Sequence, residues 1–372
     1  MGYAAVSGGA EAILNAEKLL TYFRLKGNSE PLTAVQIKDQ LRLAVDKVMG
    51  EGALYAPEAA ALALKQAEGD MLEAAFILRA YRATQPRRYV TNPVETGTMQ
   101  IIRRISGVFQ DIPGGQILGP TRDYTQRLLD FSLLTEDKER MEKLLQNLGV
   151  SNIPEQLPNT FLKVVDLLRV EGLLADLEPS QEIYDITHHT LTFPCSRSAK
   201  LQSLCRGETG AMMALAYSAV RGFGSIHPCL AELRVGYIPL YINRPGCEKA
   251  VFIGKVLATE AEIVSPGSGY DKNGKSCLTL GYGFCFGHNE TKAIAMGILD
   301  QSTRNASLVK APAEDEEFVL YHIDGVEAAG FVNHWKLPHY VTFQSTLDRI
   351  RQAQTLGKEK KYAGYKTDKK TD

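Results

Sequence analysis

Two histidines, His334 and His339, lie five residues apart in the segment HWKLPHY and are candidate metal ligands. Side chains five residues apart lie roughly 140° apart around a helix and point to opposite faces of a strand. Because Pro338 also disfavours a helix at Leu337, both imidazoles can bind one metal ion only if the segment is irregular. A zinc ion takes about four ligands, so water, distant residues or another chain would complete the site. The residues alone favour a simpler interpretation, two unrelated loop histidines.

A glycine-rich loop, DIPGGQILGP, is a second candidate site because backbone N–H groups at Gly114, Gly115 and Gly119 could approach a phosphate group. No Gly-Lys-Ser/Thr follows, so the loop is not a Walker loop, and it does not match a dinucleotide fingerprint. A tight turn between two helices is the simpler interpretation. Charged residues nevertheless surround the loop, namely Arg103, Arg104, Arg122, Asp123 and Arg127.

A third segment, PCSRSAKLQSLCRGETG, combines hydroxyl groups with cationic side chains over a short span. Its cations are Arg197, Lys200 and Arg206, and Arg221 follows in YSAVRGFGSIHP. Arginine and hydroxyl donors suit phosphate oxygens. A helix N-cap followed by solvated charges explains the pattern of the first segment equally well, so both interpretations stay open.

Candidate carboxylates for acid–base or electrostatic roles include Asp123, Glu232, Glu260 and Glu262. Glu260 and Glu262 alternate on one face of a predicted strand and could form a carboxylate pair, which would need two different pKa values to act as acid and base. A solvated strand face is the simpler interpretation. His288, next to a predicted helix cap at Asn289, is expected to be exposed.

The N-terminal part of the chain has helical periodicity. A capping box formed by Thr33 and Gln36 opens the first pattern, and Pro57 suits the first turn of the next helix, which runs to Glu68. Further helices are predicted from Asp70 to Gln85, from Thr98 to Val108, from Asp123 to Leu134 and, with breaks at Pro154 and Pro158, from Glu136 to Ser180.

After Thr187 the pattern changes to short segments rich in Val, Ile, Tyr and Phe, which are typical of strands. Strands are predicted just after Thr187 and over Ala231–Ile242, Ala250–Val264, Leu278–Phe286 and Glu317–Ile323, with helices up to Tyr217 and from Asn289 to Asp300. The predicted fold class is therefore α+β with mainly antiparallel strands. The predicted parts are a helical part (1–134), a variable helical segment (135–190), a mixed α+β part (191–350) and a basic, disordered tail (351–372).

Composition excludes several classes of protein. The 372 residues include 42 Lys plus Arg and 43 Asp plus Glu, and this balance argues against broad binding to nucleic acid or to an anionic membrane. No run of about eighteen apolar residues predicts a membrane span, and no secretory signal is recognisable. The six cysteines form no C-x-x-C pair, so we expect free thiols in a reducing cytoplasm.

Taken together and in this order, the segments resemble the family of the I subunit of the bacterial carbon–phosphorus lyase core complex. The two most specific segments are DIPGGQILGPTRDYTQRLLDF, from Asp111 to Phe131, and DEEFVLYHIDGVEAAGFVNHWKLPHYVTFQ, from Asp315 to Gln344. The resemblance runs through most of the chain, except for a stretch near residues 135–185 and the basic tail.

The resemblance implies that the subunit works with subunits G, H and L to replace the adenine of MgATP by an alkylphosphonate at ribose C1′. The substituent at that carbon would invert from β to α. Alone, the subunit would resemble a nucleosidase that acts on nucleoside triphosphates. The resemblance also implies a core complex containing two copies each of subunits G, H, I and J, together with the ABC-type subunit K. His334 and His339 match the family's H-x-K-L-P-H segment, which binds zinc beside the radical-SAM subunit J.

Displacement at ribose C1′ passes through a cationic sugar, so it needs negative charge near the sugar and a proton or hydrogen bond for the purine. Within the matching segments, we assign Asp123 and Glu232 as the candidate catalytic carboxylates. The candidate phosphate contacts are Arg122, Arg197, Lys200, Arg206 and Arg221, with Mg²⁺ accompanying the triphosphate. The alternative function is a scaffold that supplies the zinc-binding histidine pair to subunit J.

Overall fold

The structure is a computed structural model. It describes residues 8–148, 161–174, 183–221, 227–270, 274–304 and 311–367. The chain separates into two compact units. The larger unit is Leu32–Val326, and the smaller unit combines Met1–Pro31 with Glu327–Asp372.

Four helices open the larger unit: α2 (Ala34–Gln40), α3 (Arg42–Gly52), α4 (Pro57–Gln66) and α5 (Met71–Thr84). The predicted capping box is confirmed, because the Gln36 N–H donates to the Thr33 hydroxyl and the Gln36 side chain accepts from the Thr33 N–H. Pro57 occupies the first turn of α4, and Asp70 caps α5. Apolar side chains from all four helices, such as Ile37, Val48, Leu64 and Leu78, form one buried cluster.

A four-stranded antiparallel sheet follows, with the strand order β1 (Gln100–Ile105), β2 (Cys229–Ile242), β3 (Val251–Tyr270) and β4 (Ser276–Phe286). The three strands predicted in this region are confirmed, and so is the α+β class. The helix predicted over Thr98–Val108 is wrong, because this segment forms β1 and pairs with β2. Gly236 makes the pairing possible, since a Cβ atom there would lie 2.2 Å from the Gln100 carbonyl oxygen.

Helix α10 (Glu290–Ser302) packs directly on β4 through glycine contacts. A Cβ atom at Gly283 would lie 1.9 Å from the Ala293 carbonyl oxygen, and one at Gly281 would lie 2.1 Å from the Gly297 carbonyl oxygen. The helix backbone therefore lies against the strand without an intervening layer of side chains, which fixes the position of the helix N-terminus.

The other helices of the larger unit are α6 (Lys138–Asn147), α7 (Val164–Val170), α8 (Arg197–Arg206), α9 (Thr209–Val220) and α11 (Glu316–His322). Helix α11 replaces the strand predicted over Glu317–Ile323, because the Asp315 side chain caps a helix by accepting from the Phe318 N–H. The strand predicted just after Thr187 is also wrong, since residues 186–193 form turns and irregular backbone.

The helix predicted over Asp123–Leu134 is wrong as well. Only a short 3₁₀ turn, Phe131–Thr135, forms there, and Leu128, Leu129 and Leu134 are exposed. An apolar stripe with nothing to pack against gives a helix little stability. The helix breaks predicted at Pro154 and Pro158 lie outside the described residues.

The smaller unit contains α1 (Gly9–Leu25), most of α12 (Gly325–Asn333) and α13 (Tyr340–Thr367). The predicted disorder of the tail is wrong as far as Thr367, because α13 continues to that residue. Lys, Glu, Gln and Ala, which are abundant there, are good helix formers even without a buried core. Across the described ranges, no helix is both long and apolar enough to cross a bilayer.

Candidate functional site

The larger unit contains a cavity of about 510 Å³ beside the N-terminus of α10. Residues from the start of α3, the segment before Tyr124, the start of α9 and the turn between β4 and α10 line it. The polar lining residues are Arg42, Lys47, Thr121, Arg122, Asp123, Thr209, His288, Asn289, Glu290, Thr291 and Lys292. Nearly all of them can donate or accept hydrogen bonds with a charged ligand.

The turn that carries His288 into the cavity is fixed by buried polar contacts. Gly287 has a positive φ of 73°, and a Cβ atom there would lie 2.4 Å from the Cβ of Asp46. The Asp46 carboxylate accepts from the His288 N–H at 3.0 Å, and burial raises the pKa of this carboxyl. The Thr259 hydroxyl donates to the Gly287 carbonyl at 2.6 Å and accepts from the Asn289 N–H at 2.9 Å. The sheet and α3 thus hold this turn together.

A chain of charged side chains crosses the cavity wall. His288 Nε2 lies 2.6 Å from Glu290 Oε1, which lies 2.7 Å from Arg103 Nε. Arg103 Nη2 also pairs with Asp123 Oδ2 at 2.5 Å. Arg42 Nη1 lies 3.4 Å from His288 Nδ1. Because arginine can only donate, Nδ1 is the acceptor and the ring proton lies on Nε2, facing Glu290.

Asp123 and His288, which both lie on the cavity wall, are suited to different chemical roles. A hydrogen bond from Thr121, and then the Arg103 guanidinium, hold the pKa of Asp123 below its usual range. Asp123 is therefore suited to electrostatic stabilisation as a permanent anion. His288, oriented by Glu290, has the ring chemistry needed to move a proton at neutral pH.

Of the predicted site residues, Arg122 and Asp123 line this cavity. Three others are in ion pairs elsewhere in the larger unit. Arg197 pairs with Asp300 at 2.7 Å, Lys200 with Glu316 at 3.5 Å, and Arg206 with Asp324 at 3.3 Å. Arg221 follows the last residue of α9 with its guanidinium 6.0 Å from the Tyr217 ring centre. Arg197, Lys200 and Arg206 thus each have an acidic partner, and none of the four cations lines the α10 cavity.

The segment from Pro194 begins a helix, as one of the two open interpretations predicts. The Ser196 hydroxyl accepts from the Ala199 N–H at 3.2 Å and caps α8. Its charges are not simply solvated, since Arg197 and Lys200 have the acidic partners named above. Cys195 is unsuited to be a nucleophile, because burial and the neighbouring Glu316 raise its pKa to about 12.

The glycine-rich loop is a tight turn held against β1. Arg103 Nη1 donates to the Leu118 carbonyl at 2.5 Å, and the Arg104 guanidinium donates to the Pro113 carbonyl. The backbones of Arg104 and Ile117 also exchange two hydrogen bonds of 2.7 Å. Gly119 allows the close approach, since its Cβ atom would lie 2.3 Å from the Ile102 carbonyl. These contacts indicate that the loop positions Arg122 and Asp123, which follow it.

A second charged cluster lies inside the larger unit, and it contains Glu232, Glu260 and Glu262. The prediction that Glu260 and Glu262 form a solvated strand face is wrong, because both are buried. Lys163 Nζ binds both of them, at 2.8 and 3.0 Å, and Arg234 pairs with Glu260. Glu232 is 1% exposed and accepts from Arg104 Nε at 2.5 Å and from the Val164 N–H at 2.9 Å.

The pKa values of the two neighbouring carboxyls diverge. Burial opposes ionisation of Glu260, but Arg234 and Lys163 outweigh it and lower its pKa to about 2. Burial and the Glu260 charge raise the pKa of Glu262 to about 7. The three carboxylates are buried and do not line the α10 cavity, so these shifts affect stability more directly than catalysis.

We expect replacement of Glu262 by glutamine to flatten the pH dependence of stability. Folded Glu262 has a pKa of about 7 against an ordinary value of 4.5, so the folded chain binds the extra proton between these values. Its contribution to stability is complete below pH 4.5 and is lost as the pH rises through 7. At pH 8, Glu262→Gln should therefore be more stable than the wild type by about 1–3 kcal/mol.

Urea unfolding at pH 5 and pH 8 measures this difference, with exposed Glu248→Gln as the matched control. Parallel pH profiles for the wild type and Glu262→Gln would show that Glu262 does not titrate in this range.

The segment with His334 and His339 is irregular, as its spacing predicts. His334–Lys336 forms a 3₁₀ turn, Leu337 is extended, and α13 begins at Tyr340. The ring centres of His334 and His339 lie 5.5 Å apart. His334 Nδ1 contacts the Phe331 carbonyl, and His339 Nδ1 lies 2.6 Å from the Leu337 carbonyl. These contacts place the Nδ1 proton on the backbone side of each ring and leave Nε2 as the ligating nitrogen.

Sequence reasoning missed most of the cavity. His288 was expected to be exposed, but its side chain is 8% exposed. Arg42, Glu290 and Lys292 are not among the predicted site residues. The run GHNETK is a signal for Glu290 and Lys292, because it places a histidine, a carboxylate and a lysine around a single helix start, but it does not include Arg42.

A family model and several known proteins match this chain over most of its length, and their names point to one family. The family model described as "Bacterial phosphonate metabolism protein (PhnI)" matches residues 2–356. The HtxH protein of Stutzerimonas stutzeri is 48% identical over 95% of this chain and 96% of its own length. Two proteins named α-D-ribose 1-methylphosphonate 5-triphosphate synthase subunit PhnI are also similar. The one from Escherichia coli K12 is 46% identical over 95% of this chain and 98% of its own, and the one from Rhizobium meliloti 1021 is 43% identical over 94% of each chain. The chain therefore belongs to the PhnI family of bacterial phosphonate metabolism proteins.

Proposed function

We propose that this chain is a cytoplasmic subunit of an α-D-ribose 1-methylphosphonate 5-triphosphate synthase in the carbon–phosphorus lyase pathway. With partner subunits G, H and L it displaces adenine from MgATP by an alkylphosphonate, and alone it releases adenine to water. It also assembles with subunits G, H and J, in a core with two copies of each, and with subunit K. Family membership and the names of the relatives support this proposal.

The observation that carries the proposal is the composition of the α10 cavity. Four cationic side chains line it, which suits a triphosphate and a phosphonate: Arg42, Lys47, Arg122 and Lys292. Two carboxylates and an imidazole lie on the same wall, which suits a reaction at a sugar carbon that becomes positively charged.

In the proposed reaction, the bond between ribose C1′ and the purine nitrogen breaks, and a phosphonate oxygen bonds to C1′. The departing adenine takes up one proton. Asp123 stays ionised and stabilises the positive charge on the sugar. His288 takes up a proton from solvent at Nδ1, once Arg42 has turned from this nitrogen to the triphosphate, and delivers that proton to the purine. Mg²⁺ would reduce the charge of the triphosphate.

Adenine release tests the proposal. The purified chain is incubated with MgATP, with and without methylphosphonate and subunits G, H and L, and the products are followed by chromatography and ³¹P NMR. Adenine with ribose triphosphate from the chain alone, and the ribose 1-phosphonate from the mixture, are the expected products. No adenine under any of these conditions would contradict the proposal.

We further propose that His334 and His339 hold a zinc ion shared with subunit J. The free Nε2 atoms and the backbone acceptors at Nδ1 fit metal-binding histidines, which typically donate their other ring N–H to a second group. Among the described residues, no cluster of three or more His, Cys, Asp or Glu residues surrounds them. Water or subunit J would supply the remaining ligands.

Replacement of both histidines by alanine should remove this zinc from the assembled complex, as measured by metal analysis. Adenine release by the isolated chain should persist, since the α10 cavity does not include these residues. Unchanged zinc would remove the histidines from the metal site. Loss of zinc and of phosphonate breakdown, combined with an isolated chain that never releases adenine, would instead favour a scaffold function.

A further inference from the structure

Lys292 is a buried cation for which the structure shows no acceptor. Its side chain is 0% exposed, and Nζ makes no hydrogen bond within the described residues. Leaving an ammonium group in the protein interior without a partner is unfavourable by several kcal/mol. An anion bound beside Nζ would remove this free-energy cost.

Nζ lies at the same end of α10 as the cavity. An ideal Cβ atom at Gly50 would lie 3.4 Å from Lys292 Nζ and 3.5 Å from the Asn289 side-chain nitrogen. Because Gly50 has no side chain, space remains next to the ammonium group. Lys292 also lines the cavity. The gap beside Gly50 and the cavity are therefore both next to Lys292.

The N-terminus of α10 adds a second cationic feature. Asn289 occupies the N-cap position of this 13-residue helix, but its side chain does not accept from the first-turn N–H groups. Its amide nitrogen donates instead to the carbonyls of Asp46 and Phe286. The helix start therefore keeps donors for an external anion, and the helix dipole favours negative charge there.

The carboxylates near this helix start have partners of their own. Glu290 is paired with Arg103 and His288, Asp123 is paired with Arg103, and the buried Asp46 accepts from the His288 N–H. Arg42, Lys47 and Arg122 remain on the cavity wall with Lys292. The cavity thus presents an excess of positive charge around a donor-rich helix N-terminus.

We propose that Lys292 Nζ and the N-terminus of α10 bind one phosphoryl or phosphonyl group in the cavity and anchor the substrate there. The inference rests on the proposed function for the identity of the ligand. Either the triphosphate of the nucleotide or the phosphonate could supply such a group, since both present tetrahedral phosphorus oxyanions. Lys292 is a binding residue in this proposal and takes no part in proton transfer.

Calorimetric titration of the full chain with tripolyphosphate and, separately, with methylphosphonate tests the proposal at constant ionic strength. Lys292→Met should weaken binding of one or both ligands about tenfold or more, as expected for the loss of a charged hydrogen bond. Exposed Lys249→Met is the matched control and should bind like the wild type. An effect on tripolyphosphate alone assigns the nucleotide triphosphate, and an effect on methylphosphonate alone assigns the phosphonate.

Thermal unfolding without ligand separates binding from a structural role. Removing an unpaired buried charge should leave Lys292→Met at least as stable as the wild type, and Lys292→Gln provides a second neutral variant. Equal affinities of wild type and variants for both ligands would overturn the proposal, and so would a wild type that binds neither. Lys292-dependent binding without adenine release would refute the proposed function alone. Adenine release, combined with unchanged affinities of Lys292→Met for both tripolyphosphate and methylphosphonate, would refute this inference alone.

Discussion

Replacement of His288 by asparagine is expected to slow adenine release by about 10²–10⁴-fold, the usual contribution of a positioned proton donor. Within the described residues, His288 is the only imidazole that lines the α10 cavity. Its Nε2 faces Glu290 at 2.6 Å, so the carboxylate would stabilise the imidazolium. Nδ1 then faces the cavity, where Arg42 contacts it at 3.4 Å. When the triphosphate engages Arg42, this nitrogen can take up a proton from solvent and deliver it to the departing purine.

The measurement is adenine release as a function of ATP concentration. His288→Asn should lower kcat more than it changes KM. Glu290→Gln should give a smaller loss of kcat, because glutamine keeps a hydrogen-bond acceptor and loses the charge. His322→Asn, on an exposed histidine of α11, is the matched control. Turnover of His288→Asn equal to that of the control would rule out the proton-transfer role.

Replacement of Glu232 by alanine should destabilise the larger unit by about 3–5 kcal/mol, the range for breaking a buried ion pair. Glu232 is the main acidic partner of Arg104, which is itself fully buried. Its second oxygen accepts from the Val164 N–H, where α7 begins. Alanine would leave the Arg104 Nε–H and the Val164 N–H without acceptors, and the buried guanidinium without its acidic partner.

Urea unfolding measures this loss, with exposed Glu248→Ala as the matched control. Glu232→Gln should cost less than alanine, because its side-chain oxygen can still accept a hydrogen bond. This experiment also tests the assignment of Glu232 as a catalytic carboxylate. A Glu232→Ala chain with normal stability and no adenine release would support the catalytic assignment, and an unfolded chain would support the structural role.

Local signals predicted much of the fold. The capping box at Thr33, the proline at the start of α4 and the Asp70 cap act within one or two helical turns, so the sequence displays them directly. The strands β2, β3 and β4 are predicted correctly because their segments are rich in Val, Ile, Tyr and Phe. Strand β1 was missed because its two arginines resemble a polar helix face, although both are buried by partners distant in sequence.

The candidate site was harder to predict, again because its residues and their partners are distant from one another in the sequence. Arg122 and Asp123 were found because they follow a distinctive loop. Arg197, Lys200 and Arg206 seemed equally suitable, but the acids that pair with them come more than 100 residues later in the sequence. Conversely, Arg42 reaches His288 across 246 positions, so only the folded chain shows that they belong to one site.

The adjacent arginines on β1 have a consequence for binding kinetics. Arg103 and Arg104 hold the carbonyls of the glycine-rich loop, and this loop leads into Arg122 and Asp123. Opening the loop would take backbone acceptors away from two buried guanidinium groups, so open states should be rare and the loop amides should exchange their hydrogens slowly. A ligand would then meet one wall of the cavity already in its final shape, and association should be limited by diffusion and charge rather than by loop closure.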